Sequence, residues 1–339
     1  MSGVPVRSPF HPDKSTMEKQ RKWVFIVNPV AGNGFALTLV DQIRQLIAIH
    51  RLDADIVITE RKGHATELSE HYADNGYNCI VGVGGDGTMN EISVPLVNRK
   101  DIVVGLIGGG TGNDFIQITG FPDRFKEKDW EMFLRANVIP MDVGICNGKI
   151  ILNGMGLGFD AQVASENYTE TGEVKPGGKG KYIWHIVKTL FFYKEKRMKM
   201  LCNGSTYETD CFMNTVANGR RFAGSFYLTP RGMANDSLLD VCAIKRLTLF
   251  QRLRILLMVP SGTHVNDPRV EYYQTGKLSL EFPSRMPYHI DGELYFDKHF
   301  EVGILPAALN IIYNPEGTHF FKVPEEENVS DDAANLLRG

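Results

Sequence analysis

The stretch Val81-Gly82-Val83-Gly84-Gly85-Asp86-Gly87-Thr88-Met89-Asn90-Glu91 sets four glycines around one aspartate. An apolar, strand-like run, Cys79-Ile80-Val81, leads into it, and a helix start over Thr88 to Ile92 follows. Glycine lets a backbone approach a ligand closely and adopt positive φ without steric cost. A glycine-rich turn from strand to helix therefore offers bare N–H groups, at the positive end of a helix dipole, to an anion such as phosphate. Asp86 would repel a bare phosphate, which argues for a magnesium ion between them. The turn reads as a metal–nucleotide site.

Working outward, strands and helices alternate on both sides of this turn. Trp23 to Val27 reads as a buried strand ended by Asn28-Pro29, Thr38 to Ile49 has helical apolar spacing, and Asp55 to Thr59 reads as the next strand. Ala65 to Asn75 is a predicted helix, Cys79 to Val83 a third strand and Ile102 to Ile107 a fourth. Such alternation argues for a parallel sheet with ligands at the carboxyl ends of its strands. After about Asp142 the rhythm changes. Lys149 to Leu152, Tyr207 to Ala217, Ser225 to Thr229, Leu238 to Ile244, Lys277 to Phe282 and Glu301 to Ile304 read as short strands, interrupted by helices over Lys181 to Lys196 and Leu249 to Val259. This half is predicted to be a β-sandwich.

The expected organisation is a tail over residues 1–20, an α/β nucleotide-binding domain over 21–144 and a β-sandwich over 145–303. A terminal segment over 304–320 can return to the first domain, and an acidic tail covers 321–339. With 37 basic against 40 acidic residues the net charge is −3, which does not indicate a nucleic-acid-binding surface. The five cysteines include no C-x-x-C pair, and several sit in apolar runs, so buried free thiols in a reducing compartment are expected. No apolar stretch suits a signal peptide or a membrane span. The nine histidines show no ligand spacing, so zinc is not expected.

Two common nucleotide motifs compete for the opening stretch. Gly82 to Gly87 formally fits G-x-G-x-x-G, but that pattern alone is weak, and Asp86 would sit where the pyrophosphate packs. No G-x-x-x-x-G-K-[ST] exists, which excludes a Walker-type loop.

The residues also carry a family resemblance. G-G-D-G-T-x-N-E resembles the signature of the diacylglycerol kinase catalytic-domain family, in particular its bacterial soluble lipid kinases, related to sphingosine and ceramide kinases. Further landmarks follow in order. They are Asn28-Pro29-Val30-Ala31-Gly32, Thr59 with Gly63-His64-Ala65, Gly110-Thr111-Gly112-Asn113-Asp114-Phe115, Pro140-Met141-Asp142-Val143-Gly144, Asn153 with Gly158 to Ala161, Pro230 to Leu239, and Asp291-Gly292-Glu293. The resemblance spans roughly residues 22 to 315. It implies a three-layer α/β domain, similar to NAD kinase and diacylglycerol kinase, followed by a β-sandwich, with the site in the cleft between them.

It further implies transfer of the γ-phosphate of ATP to a lipid hydroxyl, diacylglycerol being the first acceptor to consider. Gly84, Gly85 and Gly87 would approach the phosphates, and Asn28, Thr59, Thr88, Asn90, Glu91, Thr111 and Asn113 would line the nucleotide site. Asp86 and Asp142 would hold the catalytic Mg²⁺. Glu293 would be the base, with Asp291 on the same strand face to orient it and raise its pKa. Asp236, with backbone carbonyls near Met233 and Leu238, matches a structural magnesium site of some relatives. Ser237 replaces the glycine usual there, so a capped turn is an equal expectation.

Lys175 to Lys181, followed by Tyr182, Trp184 and Phe191 to Arg197, combines bases with aromatics that could dock on an anionic bilayer. An ordinary amphipathic helix would look the same. The expected protein is cytoplasmic, peripherally bound to a membrane, with a lipid substrate, no nucleic-acid partner and a homodimer as a possible assembly. The rival readings are an NAD kinase or another small-molecule kinase, and a non-catalytic nucleotide-binding protein.

Overall fold

The computed structural model describes residues 21–166, 179–202 and 204–323, with side chains of 179–183 left aside. The expected tails, apart from residues 321–323, and the Lys175 to Gly178 part of the basic strip lie outside these residues; Phe321, expected in the acidic tail, is buried in the first core.

In the first half, β1 (Lys22–Val27), β2 (Asp53–Ile58), β3 (Cys79–Gly84) and β4 (Val103–Gly108) form a parallel sheet in the order β2-β1-β3-β4. β1, β3 and β4 are almost wholly buried, as expected of a parallel sheet covered on both faces. The crossovers are α1 (Phe35–Thr38), α2 (Val40–His50), α3 (His64–Asp74) and α4 (Asp86–Ser93), with α5 (Glu127–Leu134) after β4. α4 begins at Asp86, two residues earlier than the sequence pattern places it.

The second half contains β5 (Val138–Cys146), β6 (Lys149–Ile151), β7 (Gly154–Gly158), α6 (Phe159–Glu166), α7 (Lys179–Phe192), β8 (Lys196–Cys202) and β9 (Ser205–Ala217). β10 (Leu239–Lys245), α8 (Leu249–Met258), β11 (Val270–Thr275), β12 (Lys277–Ile290) and β13 (Glu293–Ile312) follow. The strands pair in the order β11-β10-β9-β7-β12-β13, while β8 joins the far ends of β9 and β12. β9 and β12 thus each pair with three strands along their length and fold the antiparallel strands around a second core that includes Met155, Leu157, Leu280 and Phe300. The strand expected over Ser225 to Thr229 is absent: Phe222 and Phe226 share one isolated bridge.

β5 and β13 connect the halves. They run antiparallel to one another, and β13 finally lies parallel to β4, pairing Asn310 with Val103 and Ile311 with Val104. Their register shifts between Leu305 and Leu309, where Ala307 takes φ 50. This bulge bends the two strands at the passage from one half to the other. All five cysteines are free and buried.

Candidate active site

The site begins where β1, β3 and β4 end side by side. The loops that follow touch backbone to backbone: Gly110 N donates to Gly84 O at 3.1 Å, and Gly109 N donates to the same oxygen at 2.6 Å. A Cβ on Gly110 would strike Gly85, one on Gly109 would strike Gly84 and Ala36, and one on Gly32 would strike Gly109 O. A Cβ on Gly84 would collide with Thr88 Oγ1. Gly84 and Gly85 are therefore required first by loop-to-loop packing. Gly87 and Gly112 face the site instead: a Cβ on Gly112 would lie 3.2 Å from Asp86 Oδ2, and one on Gly87 4.0 Å from Glu293 Oε1.

Most polar residues expected to touch nucleotide are engaged in holding these loops. Asn28 Nδ2 donates to Thr88 Oγ1 at 3.1 Å, tying the end of β1 to α4. Asn113, buried and at φ 53, accepts from Gly110 N and donates to Gly110 O, closing its own turn. Asn90 Nδ2 donates to Asp291 at 3.1 Å, and Glu91 Oε1 accepts Gly63 N at 3.0 Å, placing a carboxylate at the positive end of α3. Thr59 is buried at the end of the β2 ladder, its N–H on Val27 O, and Thr111 is exposed at the loop tip.

Asp86 is the first residue of α4, and its Oδ1 accepts Phe115 N at 2.8 Å. Burial pushes its carboxyl up, against the backbone donors of the 113–115 turn. Beside it stands Asp114, which the sequence reading quoted within its motif without giving it a role. Asp114 accepts Ala223 N at 2.7 Å and Gly224 N at 2.8 Å from the other half. Its carboxyl is pushed up to about 6, by burial first and by the Asp86 charge second. Two half-buried carboxylates close enough for the charge of one to raise the other are a donor pair suited to a hard cation, which takes one or two carboxylates and completes its shell with water and phosphate. Among the described residues no larger His, Cys, Asp or Glu cluster suits a metal.

The late acidic motif departs from expectation. Asp291 (φ 47) and Gly292 (φ 88) are the two central residues of a tight hairpin between Ile290 and Glu293, the turn that Asp-Gly favours. The two carboxylates consequently diverge instead of sharing a strand face. Asp291 turns inward, where it accepts Leu152 N at 2.8 Å and Asn153 N and Gly154 N at 2.9 Å, besides Asn90. Burial pushes its carboxyl up and these four donors oppose the shift. These bonds tie α4 to the second half through the hairpin. Glu293 turns outward, opposite Gly87, and its Oε2 pairs with Lys62 Nζ at 2.6 Å. Lys62, raised by that hydrogen bond, was missed because a single lysine in a charged loop carries no sequence signal.

The other expected metal ligands need correction. Asp142 does not join Asp86. It is buried in the inter-strand bulge, with Oδ1 accepting Ala307 N at 2.7 Å and Oδ2 accepting Ser237 N at 2.6 Å. The turn at Met233, Asp236 and Leu238 does not fit a magnesium ion as it stands. Asp236 accepts Leu238 N and Gln274 Nε2, and the Lys322 ammonium lies 3.2 Å from its Oδ2. A cation of the chain's own already neutralises this carboxylate.

Comparisons agree with this two-part fold. Residues 22–146 match the diacylglycerol kinase catalytic domain, and residues 144–313 match the YegS C-terminal NAD kinase beta sandwich-like domain. The chain is 26% identical over 291 residues to "Probable lipid kinase YegS-like" of Shewanella frigidimarina, covering 84% of this chain and 92% of that protein. It is 25% identical over 275 residues to "Diacylglycerol kinase" of Bacillus subtilis, covering 79% and 88%. A crystal structure of a diacylglycerol kinase from Bacillus anthracis shares the fold, with a TM-score of 0.67 at 22% identity over 88% of this chain and 98% of that one. The chain belongs to the diacylglycerol kinase catalytic domain family, in the lipid-kinase branch that carries the YegS-type C-terminal β-sandwich.

Proposed function

We propose that this protein moves the γ-phosphate of ATP to a lipid hydroxyl, diacylglycerol or a related lipid, in the cleft between its two halves. The observation that carries the reading is the meeting of Glu293 with the glycine-rich turn. A carboxylate from far along the chain lies opposite Gly87, the residue that follows Asp86, and Asp86 in turn acts on Asp114. Phosphoryl transfer needs positioning and charge neutralisation more than covalent help, and this arrangement supplies both. Asp86 and Asp114 would hold Mg²⁺, whose chemistry is to neutralise phosphate charge.

Glu293 accepts the proton of the lipid hydroxyl as its oxygen bonds to the γ-phosphorus and the bond to the β-phosphate oxygen breaks, releasing ADP. Lys62 orients Glu293 before substrate arrives and offers a positive charge to the phosphoryl group. The lipid would be met at a membrane surface, with the protein cytoplasmic and peripherally bound. Among the described residues no helix is long and apolar enough to cross a membrane.

Purified protein with labelled ATP, Mg²⁺ and a lipid panel in micelles tests the reading. Label is expected in a phosphorylated lipid, with Glu293→Gln slower by about a hundredfold or more at unchanged ATP binding. Label confined to NADP⁺ or a sugar phosphate would overturn the lipid acceptor. ATP binding without any turnover would establish a non-catalytic protein.

A further inference from the structure

Large apolar side chains that remain exposed are concentrated on two neighbouring helices. Eight of the seventeen among the described residues lie on α7 and α8. Phe250 is 78% exposed, Leu257 81%, Trp184 63% and Phe192 77%. Scattered exposed apolar residues need no explanation, whereas a contiguous group marks a contact surface.

The two helices repeat one pattern. On α7, Trp184, Val187, Lys188 and Phe191 are exposed at positions i, i+3, i+4 and i+7, which is one helical face. On α8, Phe250, Leu253, Arg254 and Leu257 are exposed at the same spacing. Each stripe is apolar with one cation at its i+4 position. The opposite faces are buried: Leu190, Tyr193 and Ile255 belong to the third core cluster, packed with Phe159 and Phe212.

The exposure is not a consequence of loose packing. Arg252 of α8 is buried, and its guanidinium donates to Leu190 O at 2.6 Å and Tyr193 O at 2.9 Å, the carbonyls at the end of α7. It also pairs with Glu195 at 2.6 Å, both side chains being almost fully buried. A buried ion pair with these two carbonyl contacts thus fixes the helices side by side with their apolar stripes outward. α8 is capped at its start by Thr248, whose N–H donates to Gln251 Oε1 at 2.9 Å.

Charge selects the partner. Lys179 to Arg197 contains six basic residues and one acidic, and Lys245 to Val259 four and none, in a chain whose net charge is −3. Arg252 is buried, and Arg197, Lys245 and Arg246 pair with acids outside the helices, which leaves Lys188 and Arg254 as the cations of the stripes. Within the patch Lys188 has an acidic neighbour, Glu166, at 3.5 Å. The cores of protein–protein interfaces are depleted of charge, whereas Lys and Arg at a bilayer lay their stems along apolar groups and keep the cationic head among anionic headgroups. We propose that the paired outer faces of α7 and α8 are a docking surface for an anionic phospholipid bilayer, into which Trp184, Phe250 and Leu257 insert.

This surface leads back to the site. α6 packs on α7 and on β12 and β13, and β7 joins α6 to the Leu152–Gly154 backbone that holds Asp291. The inference rests on the lipid-kinase reading for its purpose alone, because vesicle binding is read without turnover.

The test is sedimentation of the full chain with vesicles of phosphatidylcholine alone or mixed with phosphatidylglycerol. The parent protein is expected to bind the mixed vesicles and to bind phosphatidylcholine at least about tenfold more weakly, the difference shrinking at high salt. Phe250→Ser combined with Leu257→Ser should lower partitioning roughly a hundredfold. Lys188→Gln combined with Arg254→Gln should remove most of the preference for phosphatidylglycerol. Ile49→Ser, at an exposed position of the other half, should bind like the parent. Circular dichroism and a thermal melt confirm that each variant is folded, and phosphorylation of a soluble short-chain lipid should be unchanged in all of them.

A folded parent that ignores anionic vesicles, or an Ile49→Ser loss as large as that of the α8 pair, overturns the surface. So does an α8 pair that turns a dimer into a monomer while vesicle binding persists, since a second copy would then cover the patch. Vesicle binding by a protein that phosphorylates no lipid supports the surface and overturns the kinase reading instead.

Discussion

Two pairs of carboxylates sit near one another in this molecule, and they have opposite uses. The charge of Asp86 raises Asp114, burial raises both, and the cation that acts on Asp114, Arg221, lowers it only through space. Asp142 and Asp236 also repel, yet Asp142 has an N–H on each oxygen and Asp236 is neutralised by Lys322. The first pair is held by backbone N–H donors alone, with no Lys or Arg in ion-pair contact among the described residues. The second is internally compensated where the two halves join. Carboxylate proximity alone does not make a metal site, because what matters is whether the protein itself supplies the compensating charge.

The largest effect expected from this contrast is catalytic. Asp86→Asn keeps an oxygen for Phe115 N–H while removing the charge, so turnover with labelled ATP should fall by about a thousandfold or more. The melting temperature should hold or rise, because a like-charge repulsion is relieved. Equal turnover in this variant and the parent would break the distinction between the pairs.

Asp142→Asn should fail in the other direction. An amide nitrogen would face Ser237 N–H or Ala307 N–H, donor against donor, at a buried bulge. A denaturant titration should show a loss of about 2–4 kcal/mol that Mg²⁺ does not restore. Recovery by Mg²⁺ would return Asp142 to the metal site.

The third expectation is a pH dependence. In the unfolded chain the Asp114 carboxyl ionises near pH 4, roughly its ordinary value, while in the folded protein it keeps its proton up to about 6. The folded state binds more protons in that window. The contribution of Asp114 to stability is therefore largest below the window and falls as pH rises through it, by at most roughly 3 kcal/mol. Unfolding free energies of the parent and Asp114→Asn, measured across this range, should converge at low pH and separate as pH rises. Mg²⁺ should offset the parent's loss. The smallest effect belongs to Lys322→Met. Half-exposed ion pairs contribute little, so about 1 kcal/mol should be lost in a denaturant titration, with turnover unchanged.

Local pattern was a good guide where a residue's role depends on its immediate neighbours. The helix over Leu249 to Val259 is found as Leu249–Met258 because apolar spacing and the Thr248 cap are both local. The turn at Gly84 to Asp86 was legible for the same reason. The second-half strands β7 and β11 were not, because Gly154–Gly158 is held in a sheet by neighbours distant in sequence, against the low strand preference of glycine. Asp291 and Glu293 show the limit most clearly. Their spacing suggested one strand face, but a two-residue turn sends one carboxylate into a nest of backbone donors and the other into the cleft.

The sequence by itself determined the two-part architecture, the glycine-rich turn and the presence of Asp86 and Glu293. These follow from periodicity and from residue types that few other structures require. Tertiary structure decided which carboxylates are paired with a cation of the chain's own and which are held by backbone donors alone. Asn28, Asn90, Glu91 and Asn113, expected as ligand contacts, brace the loops with their side chains, Asp142 holds the inter-strand bulge, and Lys62 and Asp114 come to lie beside Glu293 and Asp86. The physical reason is that a polar side chain's availability depends on the donors and acceptors that reach it from remote elements, and sequence order does not reveal where those elements meet.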